Sequence, residues 1–184
     1  MFLKKKIDPR IRTLIENGVN QRQRTMFVIV GDYAREQVVN IHYILSKARV
    51  RTRPNVLWCY KSELGFSSNR QKRAEKIKKQ IKNGVRDKEA EDPFELFLSS
   101  TDIRYTYYKE TERILGQTFG MCVLQDFQSL TPNILARTIE TVEGGGVICL
   151  LLKNMDSLQQ LYKMTMDVHS RYRTEAHTDV VGRF

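Results

Sequence analysis

Five short apolar runs punctuate the chain, and between them apolar residues recur at helical spacing. Met26 to Val30 is an uninterrupted apolar run closed by Gly31 and Asp32, the pattern of a strand covered on both faces. Val56 to Tyr60, after Pro54, is a second strand, and the aromatic run Ile103 to Tyr108 is a third. Met121 to Leu124, ending at Gln125 and Asp126, is a fourth, and Val147 to Leu152 a fifth. Ala34, Val38, Ile41, Leu45 and Ala48 are spaced by four and three and form one face of a helix after the first strand. Thr131 suits an N-cap and Pro132 the first helical position; Leu135, Thr138, Ile139 and Val142 supply a buried face, and Gly144 is expected to end that helix. A further helix is expected from Asp156 or Ser157, with Leu158, Leu161, Tyr162 and Thr165 on one side. Strands alternating with helices predict an α/β fold: a mostly parallel, roughly five-stranded sheet with helices on both faces.

Residues 69–92 do not fit that core. Arg70 to Lys88 holds nine Lys and Arg against two acids, and its apolar stripe is only Ala74, Ile77 and Ile81. An acidic patch from Asp87 to Asp92 and then Pro93 follow, so the segment reads as an exposed, basic helical insertion between the second and third strands. The expected organisation is a basic N-terminal segment with a short helix over 1–24 and an α/β domain over 25–184 that carries the insertion. The 184 residues are 41% hydrophobic, with eight Phe and eight Tyr, enough to build one core. No apolar run reaches the roughly 18 residues of a membrane span, and the basic start is followed by Ile7-Asp8-Pro9 where a signal peptide needs its apolar stretch. Cys59, Cys122 and Cys149 lie in apolar runs without metal-ligand spacing and read as reduced core residues of a cytosolic or nuclear protein.

Charge sharpens the picture. The net charge is +10, but residues 1–88 hold 22 Lys and Arg against 7 Asp and Glu, whereas residues 89–184 hold 9 against 14. A front half so basic implies an acidic partner, and nucleic acid is the commonest. The most basic segment lacks the bulky apolar face of an interfacial helix, which argues against a membrane. Arg70, Lys72, Arg73, Lys76, Lys78, Lys79 and Lys82, then Lys4, Lys5 and Lys6, are the candidate RNA-phosphate contacts, with Lys47, Arg49, Arg51, Arg53 and Lys61 adding to the basic surface. Such contacts give steep salt dependence and little sequence reading.

Chemistry is harder to find. Neither the lysine loop G-x-x-x-x-G-K-S/T nor the G-x-G-x-x-G fingerprint occurs. Gly31-Asp32 therefore reads as a strand-to-helix turn, and Gly144 to Gly146 as helix termination and a tight turn before the fifth strand. Asp32, Lys61 and Asp126 all follow strands and are the candidates for a vestigial nucleotide pocket at the carboxyl edge, where open α/β sheets gather ligands. His42 is expected to pack on the flank of its helix, while His169 and His177, eight residues apart, are too widely spaced for a two-histidine metal site. No catalytic residue, metal site or cofactor is expected in this segment. Tyr105, Tyr107 and Tyr108, where exposed, favour the alternative reading of a protein-interaction or oligomerisation module.

Longer strings carry a family resemblance. RPNVLWCYK from Arg53 to Lys61, ILGQTFGMCVLQDF from Ile114 to Phe127 and LTPNILARTIETVEGGG from Leu130 to Gly146 are distinctive, as are Arg10 to Val19, Leu64 to Ser68, Asp92 to Phe97 and Asp167 to His177. Together they resemble the N-terminal region of the eukaryotic RNA cytidine acetyltransferases over essentially the whole chain. The resemblance implies a parent that makes N(4)-acetylcytidine in small-subunit rRNA and tRNA, couples the transfer to ATP hydrolysis and supports ribosome assembly in the nucleolus. It implies ATP with magnesium and acetyl-CoA for that parent, bound in helicase-like and acetyltransferase modules further along the chain. rRNA precursor, tRNA and ribosome-assembly proteins are the implied partners. The chain stops at Phe184 within family-like sequence and is expected to be an excised accessory domain, to which no catalytic residue carries over.

Overall fold

The structure is a computed structural model, and it describes residues 8–49, 53–61, 93–153, 164–165 and 181–182. Its centre is a five-stranded, all-parallel sheet of β1 (Thr25–Val30), β2 (Val56–Tyr60), β3 (Ile103–Tyr107), β4 (Phe119–Leu124) and β5 (Val142–Leu152), in the order β1-β5-β4-β2-β3. Every residue of β2 and β4 is buried, as expected of parallel strands covered on both faces. The chain steps outward from β1 through β2 to β3, then returns through β4 to β5. Right-handed crossovers therefore place the first connections on one face of the sheet and the later ones on the other.

On the first face lie α1 (Pro9–Gln21), α2 (Ala34–Ala48) and α3 (Pro93–Ser100), whose Ile15, Val38, Ile41, Leu45, Phe94 and Phe97 meet Val56, Trp58, Met121, Val123, Val147 and Cys149. On the second lie a 3-10 helix (Tyr108–Ile114) and α4 (Pro132–Glu140), which bring Tyr108, Ile114, Leu130 and Ile134 onto Leu57, Cys59, Cys122, Leu124, Ile148 and Leu150. Each fully buried aliphatic side chain contributes about 1.5–3 kcal/mol. Caps follow sequence. The Asp8 carboxylate accepts from the Arg10 N–H at 2.9 Å ahead of Pro9, and Thr131 Oγ1 accepts from the Ile134 N–H at 3.3 Å ahead of Pro132. The three cysteines are unpaired and buried.

Four expectations are corrected. β1 is an outer strand with alternating burial, not one covered on both faces, because Phe27 and Ile29 pack under α1 and α2 while Met26, Val28 and Val30 have no covering helix among the described residues. α4 ends at Glu140, not at Gly144, and Gly144 to Gly146 belong to β5. Between Val142, opposite Phe119, and Val147, opposite Met121, β5 takes five steps where β4 takes two. That slack bulges toward α1: a Cβ on Gly144 would stand 2.7 Å from the Arg22 carbonyl oxygen, and Gly145 adopts φ +81° with Val19 Cα 3.1 Å from its would-be Cβ. Tyr108 leaves β3 for the 3-10 helix and turns its ring into the second face. Thr165 is not helical; it sits in a two-residue strand β6 (Met164–Thr165) antiparallel to β7 (Val181–Gly182). Leu158, Leu161, Tyr162, His169 and His177 lie outside the described residues.

His42 is more than a flank residue. It is 1% exposed, its Nε2–H donates to the Pro54 carbonyl at 3.0 Å, and its ring meets Phe97 edge-on at 5.0 Å. Burial pushes its pKa below the usual value, against the opposing pull of the Pro54 bond, and the nearby Arg53 charge pushes the same way as burial. At pH above about 6.5 neither the folded nor the unfolded chain protonates this ring; as pH falls below that, the unfolded chain takes up a proton first and the folded state loses stability until its own lower pKa is passed. Thermal unfolding between pH 7.5 and 5 is expected to show that slope in the wild type. His42→Gln keeps a donor for Pro54 but cannot titrate; it should cost about 1–2 kcal/mol at pH 7.5 and less toward pH 5, where the slope of the wild type is flattened in the variant.

Candidate functional site

The sheet reverses its winding between β2 and β4. The connection leaving β2 leads to α3 on the first face, and the one leaving β4 leads to α4 on the second. In open α/β sheets the crevice beyond the carboxyl ends of such a strand pair is where ligands sit. Lys61 and Asp126, two of the three residues selected from sequence, flank this crevice. The Lys61 backbone N–H donates to Asp126 Oδ2 at 3.1 Å, and Asp126 holds a left-handed conformation at φ +58° that carries its carboxylate back over the strand ends. Asp32 follows β1 and is exposed on the same rim, but β5 intervenes, so it stands about 10 Å from Asp126 at ordinary strand spacing.

The crevice floor is Gln125. Its side-chain Oε1 accepts from Trp58 Nε1–H at 3.2 Å, its N–H donates to the Cys59 carbonyl at 3.0 Å, and its own carbonyl accepts from the Tyr108 hydroxyl. Burial, with smaller contributions from Cys59, Asp126 and Cys122, pushes the Tyr108 phenol far up, so it remains a hydrogen-bond donor at any ordinary pH. One buried glutamine thus ties β2, β4 and the 3-10 helix together at the switch point.

Arg35, which the sequence reading missed, also faces this rim. It lies in the first turn of α2, half-buried; burial pushes its pKa down and the Asp126 carboxylate pushes it back up. Its place after β1, at the head of a helix on the carboxyl edge, was the available signal. At the far side of the rim the rings of Tyr60 and Tyr107 lie with centroids 4.5 Å apart and planes tilted by 45°, and burial together with the Tyr107 hydrogen bond raises the Tyr60 pKa to about 12. Of the three candidate tyrosines only Tyr107 is exposed; Tyr105 is half-buried and Tyr108 buried.

Arg22, Arg24, Arg49 and Arg53 lie along the amino-terminal rim, several of them engaged within the fold. Arg24 Nε donates to the Val142 carbonyl at 2.6 Å with its NH1 3.8 Å from Glu140, Arg49 pairs with Glu143 at 2.7 Å, and Arg53 NH1 reaches the Ser100 carbonyl at 3.4 Å. The candidates Lys4, Lys5, Lys6, Arg70, Lys72, Arg73, Lys76, Lys78, Lys79 and Lys82 lie outside the described residues. Their points of attachment do not. The stretch 62–92 leaves from Lys61 at the carboxyl end of β2 and rejoins at Pro93, where α3 starts back toward the amino-terminal rim. α1 likewise runs back along the sheet into β1 through a three-residue turn, so its start at Pro9 lies toward the carboxyl rim.

The fold is a doubly wound parallel α/β domain in which Gln125 and Asp126 stand at the switch point between β2 and β4. Residues 4–184 match the model of the family described as tRNA(Met) cytidine acetyltransferase TmcA, N-terminal, and the chain belongs to that family. It is 66% identical over 181 residues to human RNA cytidine acetyltransferase, 66% over 182 to the Schizosaccharomyces pombe protein of that name, and 63% over 182 to the Saccharomyces cerevisiae one. Each match covers 98% of this chain but only 17–18% of the relative, so the chain spans less than a fifth of those proteins.

Removing the carboxylate tests its structural part. Asp126→Ala loses the acceptor for the Lys61 N–H and places a residue with no preference for positive φ at +58°, and is expected to cost about 1–3 kcal/mol in urea unfolding. Asp126→Asn keeps an oxygen and tolerates the backbone, and should cost less than about 1 kcal/mol.

Proposed function

We propose that this chain is the accessory N-terminal domain of an RNA cytidine acetyltransferase, one that holds RNA phosphates while acetyl transfer takes place in other parts of the parent. The observation that carries the reading is topological: the lysine-rich start and the basic 62–92 stretch join the fold on the carboxyl-terminal side of the sheet, whereas several arginines of the opposite rim are already engaged by Glu140, Glu143 and backbone carbonyls. Lys72, Lys76, Lys79 and Lys82, with their neighbours, lie in a run of nine cations and two acids that its own sequence does not balance. Polyanion contact follows from that surplus, with phosphates gripped and bases left unread.

On this reading the parent makes N(4)-acetylcytidine in small-subunit rRNA and tRNA and supports ribosome assembly in the nucleolus, with ATP, magnesium and acetyl-CoA bound by its helicase-like and acetyltransferase modules. The domain's partners are then precursor rRNA, tRNA, those modules and ribosome-assembly proteins.

The test is RNA affinity across a salt series. The wild-type chain is expected to lose affinity linearly on a log–log plot. A Lys72→Glu, Lys76→Glu, Lys79→Glu and Lys82→Glu variant should bind every RNA sequence at least tenfold more weakly, its slope reduced by roughly 0.7 for each phosphate it no longer neutralises. An unchanged slope overturns the reading.

A further inference from the structure

Two tyrosines stand at opposite ends of the carboxyl rim. Tyr33, three residues past β1 and at the head of α2, is 71% exposed, and its side chain has no partner among the described residues. Tyr107, the last residue of β3, is 42% exposed and leans on the buried Tyr60, which steadies its ring from inside the fold. In the order β1-β5-β4-β2-β3 these two positions are four strand spacings apart, about 19 Å. Lysines stand between and beside them. Lys153 follows β5, Lys61 follows β2 and Lys109 lies two residues past β3; all three are exposed, and none is in an ion pair among the described residues. The acids of this rim are partly occupied: Asp126 accepts from the Lys61 N–H and Glu110 pairs with Arg113 at 3.0 Å, which leaves Asp32 open.

Aromatic rings interleaved with free ammonium groups do not suit the core of a protein–protein contact, from which lysine is depleted. They suit a nucleic-acid strand, whose bases stack on aromatic faces while its phosphates meet the cations. In a duplex each base face is covered by its neighbours, so only unpaired bases reach a tyrosine ring. Resting on the reading that the lysine-rich segments hold RNA phosphates, we propose that the carboxyl rim selects unpaired RNA, with one base stacked on Tyr33, another on Tyr107, and Lys153 and Lys61 meeting the backbone between them. Every base has a face to stack, so the rim distinguishes single strands from duplexes and leaves sequence unread.

The test compares the affinity of the chain for a labelled single-stranded oligoadenylate and for an RNA duplex of the same length, each across a salt series. Phosphate contact alone favours the duplex, which carries the denser charge. The wild type is instead expected to bind the single strand at least fivefold more tightly. Tyr33→Ala should weaken single-strand binding at least fivefold while leaving duplex affinity and the salt slope unchanged, and Tyr33→Phe, which keeps the ring, should bind as the wild type does. Because the Tyr33 side chain is mostly exposed, the melting temperature of both variants should match the wild type. Tyr107→Ala should show the same selective loss. A duplex bound as tightly as the single strand, or a Tyr33→Ala chain that binds single strands normally, overturns the proposal and leaves the tyrosines to a protein contact; the phosphate reading survives that result as long as the four-lysine variant still lowers the salt slope. A wild type without salt-dependent affinity for either RNA overturns both.

Discussion

Burial of the central strands on both faces governs the rest of this fold. β2 and β4 have no exposed residue, and β5 shows one only within its glycine stretch. Helices must then cover both sides, and polar chemistry is confined to the strand ends and the two outer strands. At the carboxyl ends even that space is partly consumed, because the buried Gln125 spends both its side chain and its peptide on holding β2, β4 and Tyr108 together. A half-satisfied amide here would cost more than an apolar residue, so the network is complete or it is a liability.

The uneven division of charge along the sequence acquires a spatial meaning. Arg24 and Arg49, from the basic half, meet Glu140 and Glu143, from the acidic half, across the amino-terminal rim. The Arg49–Glu143 pair, with the arginine side chain only 16% exposed, is the better shielded from salt; Arg24–Glu140, at 3.8 Å and more open, contributes little as an ion pair. Part of the cationic surplus therefore knits the two halves of the chain, and only the remainder is available to a polyanion.

Much of the architecture was legible because parallel strands buried on both faces read as plain apolar runs. β2 matched residue for residue, and α2 presented the expected Ala34, Val38, Ile41 and Leu45. What escaped was set by tertiary contact. β5 begins earlier than its apolar run because three glycines that signal a turn locally are needed to let α1 approach. α3 was hidden behind an acidic patch that made Pro93 look like the end of a loop, when it opens a helix carrying Phe94 and Phe97 to the core. Tyr108 was read into the strand because its aromatic neighbours mask the change of face. At the rim, Asp126 and Lys61 were readable from their place after strands, but the commitment of Asp126 to a backbone amide is a matter of φ, which composition does not carry.

Because β1 pairs, among the described residues, only with β5, the first strand of the five-stranded sheet is completed by the last strand of that sheet. At about 5–20 residues per second of synthesis, roughly 6–25 seconds separate the emergence of Val30 from that of Leu152. Throughout that interval Thr25 to Val30 is a nascent apolar strand with no template, and α1 and α2 have only part of the surface they will finally cover. Translation speed and the chaperones that attend a ribosome thus bear on the yield of this domain, and a slow stretch of codons before Val142 would lengthen its most vulnerable period.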